Sequence, residues 1–330
     1  MPRFVNNTAI QTDLAEHPAV RFWQALRSER VKPEAIVILK ERRRKERAKS
    51  AVYRLEGVGP EGTSVIAKRC RRATAAVERT IYEDILPHLP VSTVDYFGYV
   101  EETDREYCWL FLEDAGGEVY LPENREHRTA AAQWLGLMHT SAARVASGSC
   151  LPDRCPAHYM DHLECAQDTI LQSLHNPTLA DGDLTVLNSI VSLLNIVKSR
   201  WKEVERFCSR IPRTLVHCDF VAKNLRLRNG PGGAVLLPLD WEAAGWGVPA
   251  DDIQELDIPT YWSVIRNDWT DVDLQDVQQL ADYGKVFRCL ASISWDSDRL
   301  KYQWVERAMW RMRSYEPWLS DLVRTVEWRG

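Results

Sequence analysis

The first third of the chain alternates hydrophobic and polar positions over short segments, which is typical of strands. Gly-rich or polar turns separate these segments, and Pro87 and Pro90 end the one long helical pattern among them. The predicted elements are a helix near Ala19, strands at 35–40, 51–57, 64–70, 94–102 and 106–114, and a helix at 73–86. A basic loop is predicted between the first two strands. The pattern therefore predicts a small sheet with one packed helix over residues 1–115.

Beyond Gly117 the pattern changes to long stretches with helical periodicity. Their predicted bounds are 128–145, 158–174, 184–209, 274–291 and 299–326. One β-like island at 214–242 interrupts them, and within it two apolar runs flank the turn Asn-Gly-Pro-Gly-Gly, which predicts a hairpin. The fold class is therefore expected to be α+β, with a β-rich lobe at 1–115 followed by a larger, mainly helical lobe at 116–330.

Length and composition agree with two packed units, because 330 residues divide into domains of roughly 150. Hydrophobic residues make up 45% and charged residues 27% of the chain, which excludes a disordered or collagen-like protein. No apolar run reaches the ~18 residues that cross a bilayer, and the first residues lack the apolar stretch of a signal peptide. We expect a cytoplasmic protein without membrane contact. Its eight cysteines form no CxxC pair, so we expect reduced thiols.

The charges are segregated along the chain. A formal charge of −5 excludes a strongly basic nucleic-acid binder. The segment 40–49 nevertheless carries seven basic and two acidic residues, whereas 251–282 carries nine acidic residues and a single arginine. Nine of the 13 tryptophans lie from Trp241 onward. These features indicate that the last third of the chain is specialised, and that it favours a cationic ligand over an anionic one.

The β-like island concentrates the residues with chemical potential. His217, Asp219 and Asn224 lie in the segment HCDFVAKN, and Asp240 follows the hairpin in LPLDWE. Two oxygen ligands at the two ends of a hairpin can converge on one Mg²⁺, which binds few protein oxygens together with phosphate oxygens. Asp219 would then orient a hydroxyl group and accept its proton. The alternative is that Asp219 and Asn224 only cap turns and that Asp240 only ends a strand.

These two motifs resemble the HGDxxxxN and hDxE pair of the aminoglycoside phosphotransferase and choline kinase family, whose members are related to protein kinases. Three further segments are similar to that family: LFLEDAGG between the lobes, the helix AAAQWLGLMHTSAA, and GWGVPADDIQEL after the island. Together the marks span about residues 50–256. The resemblance implies a bilobal protein-kinase-like fold and transfer of the γ-phosphoryl group of ATP, with GTP not excluded, to a hydroxyl group with the help of Mg²⁺.

The resemblance also implies a role for each matching residue. Asp219 would be the catalytic aspartate, with His217 and Asp252 as supports of its loop and Asp251 as a close alternative to the latter. Lys68 would hold nucleotide phosphates, and Glu78 would orient that lysine. The remaining implied contacts are Asn224 and Asp240 to magnesium, and Ser50, Glu113, Asp114 and Ala115 to the nucleotide.

Two positions depart from the family pattern. Cys218 follows the loop histidine where relatives often have glycine, so the backbone geometry is less certain there. The loop that covers the nucleotide lacks glycine and retains only Ser50 of the family motif. Its basic residues either attract a triphosphate or form a solvated loop. On the helix, Glu83 competes with Glu78 for Lys68, but five residues turn it about 140° away.

The acceptor is expected to be a cationic small molecule, such as an aminoglycoside antibiotic or an amino sugar. Carboxylates and aromatic rings in the acidic segment would bind it. The candidates are Asp257, Asp268 and Asp271, with Trp262 and Trp269 as walls, although acidic residues on helices usually form a solvated surface and tryptophans usually belong to the core. A kinase of choline or another amino alcohol and a nucleotide-binding pseudokinase are the alternatives. Antibiotic resistance is one plausible use of such a kinase, and no obligatory protein partner is evident.

Overall fold

The computed structural model describes residues 8–9, 14–28, 31–44, 47–145, 150–230 and 233–328. The chain divides into two compact units, of which the first contains Met1–Leu121 and Val221–Ala243, and the second contains Pro122–Phe220 and Ala244–Gly330. The boundary expected between residues 115 and 116 stays a prediction. The sequence pattern predicts that the hairpin of the β-like island belongs to the helical lobe, but the hairpin groups with the first unit. The fold class is α+β, as the pattern predicts.

The first unit contains nine of the strands found in the described residues and two α-helices. In chain order these are β1 Thr8–Ala9, α1 Pro18–Arg27, β2 Ile36–Arg44, β3 Arg47–Leu55, β4 Val65–Arg71, α2 Arg72–Thr80, β5 Tyr96–Glu101, β6 Tyr107–Glu113, β7 Glu118–Val119, β10 Leu225–Gly230 and β11 Gly233–Pro238. Six strands form a sheet in the order β1-β2-β3-β4-β6-β5, and the other three form a small sheet in the order β11-β10-β7.

The alternation along β4 decides which face of the large sheet carries Lys68. Val65 and Ala67 are buried on one face, where they belong to the same core cluster as Trp23 of α1 and Phe111 of β6. Because successive side chains in a strand point to opposite faces, Lys68 points to the other face. Helix α2 contacts β4 and β6. The sequence of β4 thus places a lysine on the face opposite the core cluster of α1.

Two elements of the first unit differ from the prediction. The basic segment is not a loop, because β2 and β3 continue through it as antiparallel strands, with Arg42 opposite Ser50 and register shifts on the way. Residues 45 and 46 lie outside the described residues. The helix predicted over 73–86 is α-helical only as far as Thr80, after which Ile81–Ile85 form a π-helical turn and Leu86–His88 a 3-10 turn that contains Pro87.

The second unit contains eight α-helices and three short strands among its described residues. In chain order these are α3 Arg125–Val145, β8 Asp153–Arg154, α4 Pro156–Ser173, α5 Asp181–Ser199, α6 Trp201–Cys208, β9 Thr214–Val216, β12 Gly245–Gly247, α7 Ala250–Ile253, α8 Ile258–Ile265, α9 Leu274–Ser297 and α10 Glu306–Thr325. The strands form a sheet in the order β8-β12-β9. The one helix predicted over 184–209 is two helices with a break at Arg200, and the pattern over 299–326 becomes α-helical only at Glu306.

Helix α9 is the central helix of the second unit and packs against α4, α7, α8 and α10. Its contact with α7 is unusually close, because a Cβ atom built at Gly284 would lie 1.9 Å from the carbonyl oxygen of Ala250. Only glycine permits this approach of the two backbones. The contact fixes the height of α9 relative to the loop that Asp252 supports, which matters for the site described below.

All eight cysteines are free thiols. Cys70 and Cys108 face each other across β4 and β6, with their sulfur atoms 4.0 Å apart. No helix in the described ranges combines the length and the apolar character that crossing a bilayer requires.

Candidate functional site

Lys68 lies at the centre of an ionic cluster in the first unit. Its Nζ atom lies 2.7 Å from Oε2 of Glu78, 2.5 Å from Oδ1 of Asp240 and 3.7 Å from Oε2 of Glu242. The ion pair between Lys68 and Glu78 that the sequence predicts is therefore present. Glu83, the rival on the same helix, accepts hydrogen bonds from other residues. Sequence reasoning did not single out Glu242, although it stands two residues after Asp240.

Burial and charge act in opposite directions on this cluster. Burial alone would lower the pKa of the Lys68 ammonium, but the carboxylates of Glu78, Asp240 and Glu242 together raise that pKa well above its ordinary value. Lys68 therefore stays protonated. One ammonium and three carboxylates leave a formal charge of −2, and the Glu78 side chain is only 1% exposed. A divalent cation would balance this charge.

The hairpin β10–β11 brings Asn224 and Asp240 to the same end of the small sheet. Leu225 pairs with Pro238, and the amide of Leu239 donates to the carbonyl oxygen of Asn224 over 2.8 Å. Asp240 then turns away with φ +67°, a left-handed conformation that aspartate tolerates better than most residues. This arrangement confirms that the two ends of the hairpin converge, which the spacing of the motifs predicts.

The donor set fits magnesium better than a transition metal. Within the described ranges, no three His, Cys, Asp or Glu side chains are arranged to hold a metal ion. Mg²⁺ does not require such a cage, since it binds through one or two protein oxygens and completes its shell with water and phosphate. An amide oxygen of Asn224, a carboxylate of Asp240 and a surplus of two negative charges match that preference.

In the second unit, Asp252 supports the loop that carries Asp219. Its Oδ2 atom accepts the amide hydrogen of His217 over 2.7 Å, and its Oδ1 atom accepts that of Cys218 over 2.8 Å. Asp252, and not Asp251, makes these contacts. The carboxylate is in turn 3.3 Å from Nε2 of His139 on α3, a partner that sequence reasoning missed. The buried carboxylate of Asp252 therefore fixes the backbone of the loop at His217 and Cys218.

The backbone conformation at Cys218 explains why relatives often have glycine at this position. It adopts φ +57°, in the left-handed region that glycine enters without cost. Its side chain is buried, and its Sγ atom lies 3.6 Å from the hydroxyl oxygen of Tyr159. The loop thus keeps the required backbone turn despite the departure from the pattern. The amide of Asp219, the next residue, donates to Nδ1 of His217 over 3.3 Å.

Asp219 forms an ion pair with an arginine that the sequence did not suggest. Nη2 of Arg288 on α9 lies 2.5 Å from Oδ1 of Asp219, and both side chains are about 15% exposed. Burial alone would lower the pKa of Arg288, but the carboxylates of Asp251 and Asp219 raise it, so the guanidinium stays charged. Arg288 lies 69 residues from Asp219 in the chain, and no local motif marks it.

Asp251 is the titratable neighbour of this pair. Burial raises the pKa of its carboxyl group to about 8, with Arg288 opposing the shift and Asp252 and Asp219 adding to it. At neutral pH Asp251 is therefore mainly protonated in the folded protein. In the unfolded chain the same group has a pKa of about 3.9.

This difference predicts a pH dependence of stability. The folded state holds a proton on Asp251 that the unfolded state releases above about pH 4, so this contribution to stability falls as the pH rises towards 8. Asp251→Asn removes the effect while keeping Oδ1 as acceptor for the Gln254 amide. We expect the melting temperature of the variant relative to the wild type to increase from pH 5 to pH 8, as thermal denaturation would measure. A constant difference in melting temperature between the variant and the wild type from pH 5 to pH 8 would contradict the raised pKa of Asp251.

The segment predicted to contact the adenine is held by another arginine. Arg228 on β10 lies 2.7 Å from Oε1 of Glu113 and donates to the carbonyl oxygens of Asp114 and Ala115. The Asp114 carbonyl therefore already accepts one hydrogen bond from Arg228 and the Ala115 carbonyl accepts two, and a nucleotide base would have to share them. Ser50 is half-buried on β3. The roles of these four residues stay predictions.

The acceptor candidates divide into two groups. Asp268 is 3.0 Å from Arg144, and Trp269 is 6% exposed and belongs to the core. Both have structural roles that explain their presence. Asp257 precedes α8 and accepts from the hydroxyl group of Thr260 over 2.7 Å.

The other two candidates are more accessible. Asp271 is exposed, and Trp262 is half-buried with the Arg266 guanidinium 5.4 Å from its ring centre. Because the Arg266 guanidinium already lies beside the Trp262 ring, less of the ring is available to a cationic acceptor. The acceptor role of all five residues stays a prediction.

Known proteins resemble this chain in sequence and in fold. The model of the phosphotransferase enzyme family (APH) matches residues 41–299. No curated protein sequence matches the chain. Among solved structures, spectinomycin phosphotransferase APH(9)-Ia in complex with ADP and spectinomycin is similar with a TM-score of 0.60 at 9% identity, over 93% of this chain and 98% of that one.

Two further solved structures are similar in fold. Choline kinase from Cryptosporidium parvum has a TM-score of 0.57 at 11% identity, over 87% of this chain and 90% of that one. The GDP and kanamycin complex of APH(2″)-IIIa has a TM-score of 0.60 at 11% identity, over 91% of this chain and 96% of that one. At such identities the likeness shows the fold alone. The family match covers more than half of the chain, and this protein therefore belongs to the phosphotransferase enzyme family.

Proposed function

We propose that this protein transfers the γ-phosphoryl group of ATP to a hydroxyl group of a small-molecule acceptor. The observation that carries the proposal is the cluster in which Lys68 is paired with the buried Glu78 and with Asp240. Burying one ammonium among three carboxylates costs free energy, because the negative charges outnumber the positive one. A metal–triphosphate complex supplies both the cation and the anion that the cluster lacks.

Each residue has a separate task in this reaction. Lys68 binds donor phosphate oxygens, and Glu78 holds its ammonium in place. Asn224 and Asp240 would hold Mg²⁺, which would neutralise charge on the phosphates. Asp219, five residues before Asn224 in the chain, orients the acceptor hydroxyl.

The bond changes balance within one displacement. The acceptor oxygen forms a bond to the γ-phosphorus while the bond from that phosphorus to the bridging oxygen of ADP breaks. The hydroxyl proton passes to the carboxylate of Asp219, from which it returns to solvent. The product is a phosphate monoester of the acceptor and ADP.

We propose a cationic acceptor with dispersed amino groups, such as an amino sugar or an aminoglycoside. The acidic segment supports this choice, because it carries nine carboxylates and a single arginine. Two of the solved structures of similar fold are complexes with spectinomycin and kanamycin, and a third is a choline kinase. The proposal further places the protein in the cytoplasm, where ATP is abundant, and gives it antibiotic resistance as one plausible role.

A mass-shift screen tests the reaction and the acceptor class together. The full chain is incubated with ATP or GTP and Mg²⁺, and with kanamycin, spectinomycin, choline, ethanolamine and neutral sugars in parallel. A product heavier by one phosphoryl group supports the proposal and identifies the acceptor. Binding of nucleotide without any transfer, even to water, would instead favour a pseudokinase.

The role of Asp240 is tested by a titration with magnesium. Asp240→Asn removes one charge from the proposed ligand and leaves its shape. We therefore expect the Mg²⁺ concentration at the midpoint of ATP-induced thermal stabilisation to rise by about tenfold or more. Asp104→Asn, in the exposed turn between β5 and β6, is the matched control. An unchanged magnesium midpoint in Asp240→Asn would contradict the ligand role.

A further inference from the structure

We propose that Arg288 positions the catalytic carboxylate of Asp219 and disfavours acceptors with an ammonium group on the carbon adjacent to the carbinol carbon. The inference rests on the proposed function and refines its acceptor class. It starts from an ion pair that is present in the second unit and that no sequence motif indicated.

The contacts of Arg288 fix the loop and the carboxylate together. Nη2 lies 2.5 Å from Oδ1 of Asp219, while Nη1 donates to the carbonyl oxygen of Cys218 over 3.2 Å. One rigid guanidinium therefore grips the backbone before Asp219 and the side chain of Asp219 itself. The planar fork of arginine suits such a double contact because its two terminal nitrogens are held apart at a fixed spacing, whereas all the donors of a lysine ammonium share one nitrogen.

The position of the guanidinium is itself determined by α9. Gly284, one turn earlier on the same helix, allows the close backbone contact with α7 described above. On the other side, the guanidinium carbon lies 5.6 Å from the ring centre of Trp295, within the range of a cation–π contact. Arg288 is 14% exposed and has little freedom to move aside when an acceptor binds.

This placement changes the charge that an acceptor meets at Asp219. The negative charge of Asp219 is balanced by Arg288, and burial raises the pKa of Asp251 to about 8, so that carboxyl group is mainly neutral at pH 7. Asp252 is buried beneath the loop. The negative charge of Asp219 itself is thus compensated, and the guanidinium beside it would repel an ammonium group of the acceptor.

Acceptors divide on this criterion by their chemistry. In a 1,2-amino alcohol the ammonium lies one carbon from the carbinol carbon, and it would approach Arg288 whenever the hydroxyl approached Asp219. A polyol has no ammonium group, and in an amino sugar whose reacting hydroxyl is distant from the amino groups the ammonium can reach the acidic segment instead. We therefore expect hydroxyls without a vicinal ammonium to be preferred.

The test compares Arg288→Gln and Arg288→Lys with the wild-type full chain. Turnover of ATP is measured with N-acetylethanolamine, with ethanolamine, and with water as the only acceptor, because each of the two alcohols has a single hydroxyl that is vicinal to its nitrogen. We expect Arg288→Gln to lower kcat by about 10- to 100-fold with nucleotide affinity unchanged, and Arg288→Lys to recover part of the loss. The ratio of kcat/KM for ethanolamine to that for N-acetylethanolamine should rise about tenfold in Arg288→Gln, because the repelling charge is gone.

Controls separate this inference from the proposed function. Lys285→Gln, on the same helix and paired with Asp282, should leave kcat and the acceptor ratio unchanged. If Arg288→Gln does not fold, Arg288→Lys still reports, since it keeps the charge but loses the fork. An active wild type with unchanged kcat and unchanged acceptor ratio in both variants would overturn the role of Arg288 alone. A wild type that transfers to no acceptor, water included, would overturn the proposed function and this inference with it.

Discussion

Asp219→Asn is expected to lower phosphoryl transfer by about 10²- to 10⁴-fold, the range that a positioned general base contributes. The amide group cannot accept the proton of the acceptor hydroxyl. It does retain Oδ1, the atom that accepts from Arg288, so the loop should keep its conformation. The measurement is the rate of ADP release with the best acceptor from the screen.

The fold of the Asp219→Asn variant provides the necessary control. Its affinity for ATP with Mg²⁺ should remain close to that of the wild type, because Lys68 and Asp240 are untouched. Asp168→Asn, exposed on α4, should behave as the wild type in every assay. Undiminished turnover in Asp219→Asn would remove Asp219 from the mechanism.

Lys68→Met should reduce both activity and stability. The variant loses the donor phosphate contact, which we expect to cost about 10²- to 10³-fold in turnover, as for other single electrostatic contacts to reacting oxygens. It also leaves the carboxylate of Glu78, 1% exposed, without its cation. Breaking a buried pair in this way costs about 3 kcal/mol of unfolding free energy or somewhat more.

A second substitution separates these two effects. In Lys68→Met/Glu78→Gln the buried charge is gone as well, so urea denaturation should recover most of the lost unfolding free energy. Turnover should stay low, because the phosphate contact is still missing. If stability were not recovered, the pair would not be the buried ionic unit described here, and if turnover were recovered, Lys68 would not contact the donor.

Local features of the sequence were sufficient for the parts of the fold that depend on short-range pattern. The spacing of Asn224 and Asp240 around a hairpin turn was enough to predict the convergence of the hairpin ends, whereas the Lys68–Glu78 pair was implied by the family resemblance. Such features follow from the period of a strand and from the geometry of a turn. They need no knowledge of distant contacts.

The features that escaped prediction depend on residues far apart in the chain. Arg288 and Asp219 are 69 residues apart in the chain, and His139 and Asp252 are 113 residues apart. Arg228 approaches Glu113 in the same way. The acidic segment was equally ambiguous, since Asp268 finds a partner in Arg144 that the composition could not indicate.

The left-handed turn at Cys218 has a consequence for protein engineering. A non-glycine residue in this conformation costs about 1–2 kcal/mol, yet the buried thiol recovers part of that through packing against Tyr159. Cysteine and glycine are thus nearly interchangeable in free energy here, whereas a β-branched residue would combine the backbone penalty with a steric one. A library that randomises the catalytic loop should therefore return only small, unbranched residues at position 218, and the chain has a short mutational path to the glycine of its relatives.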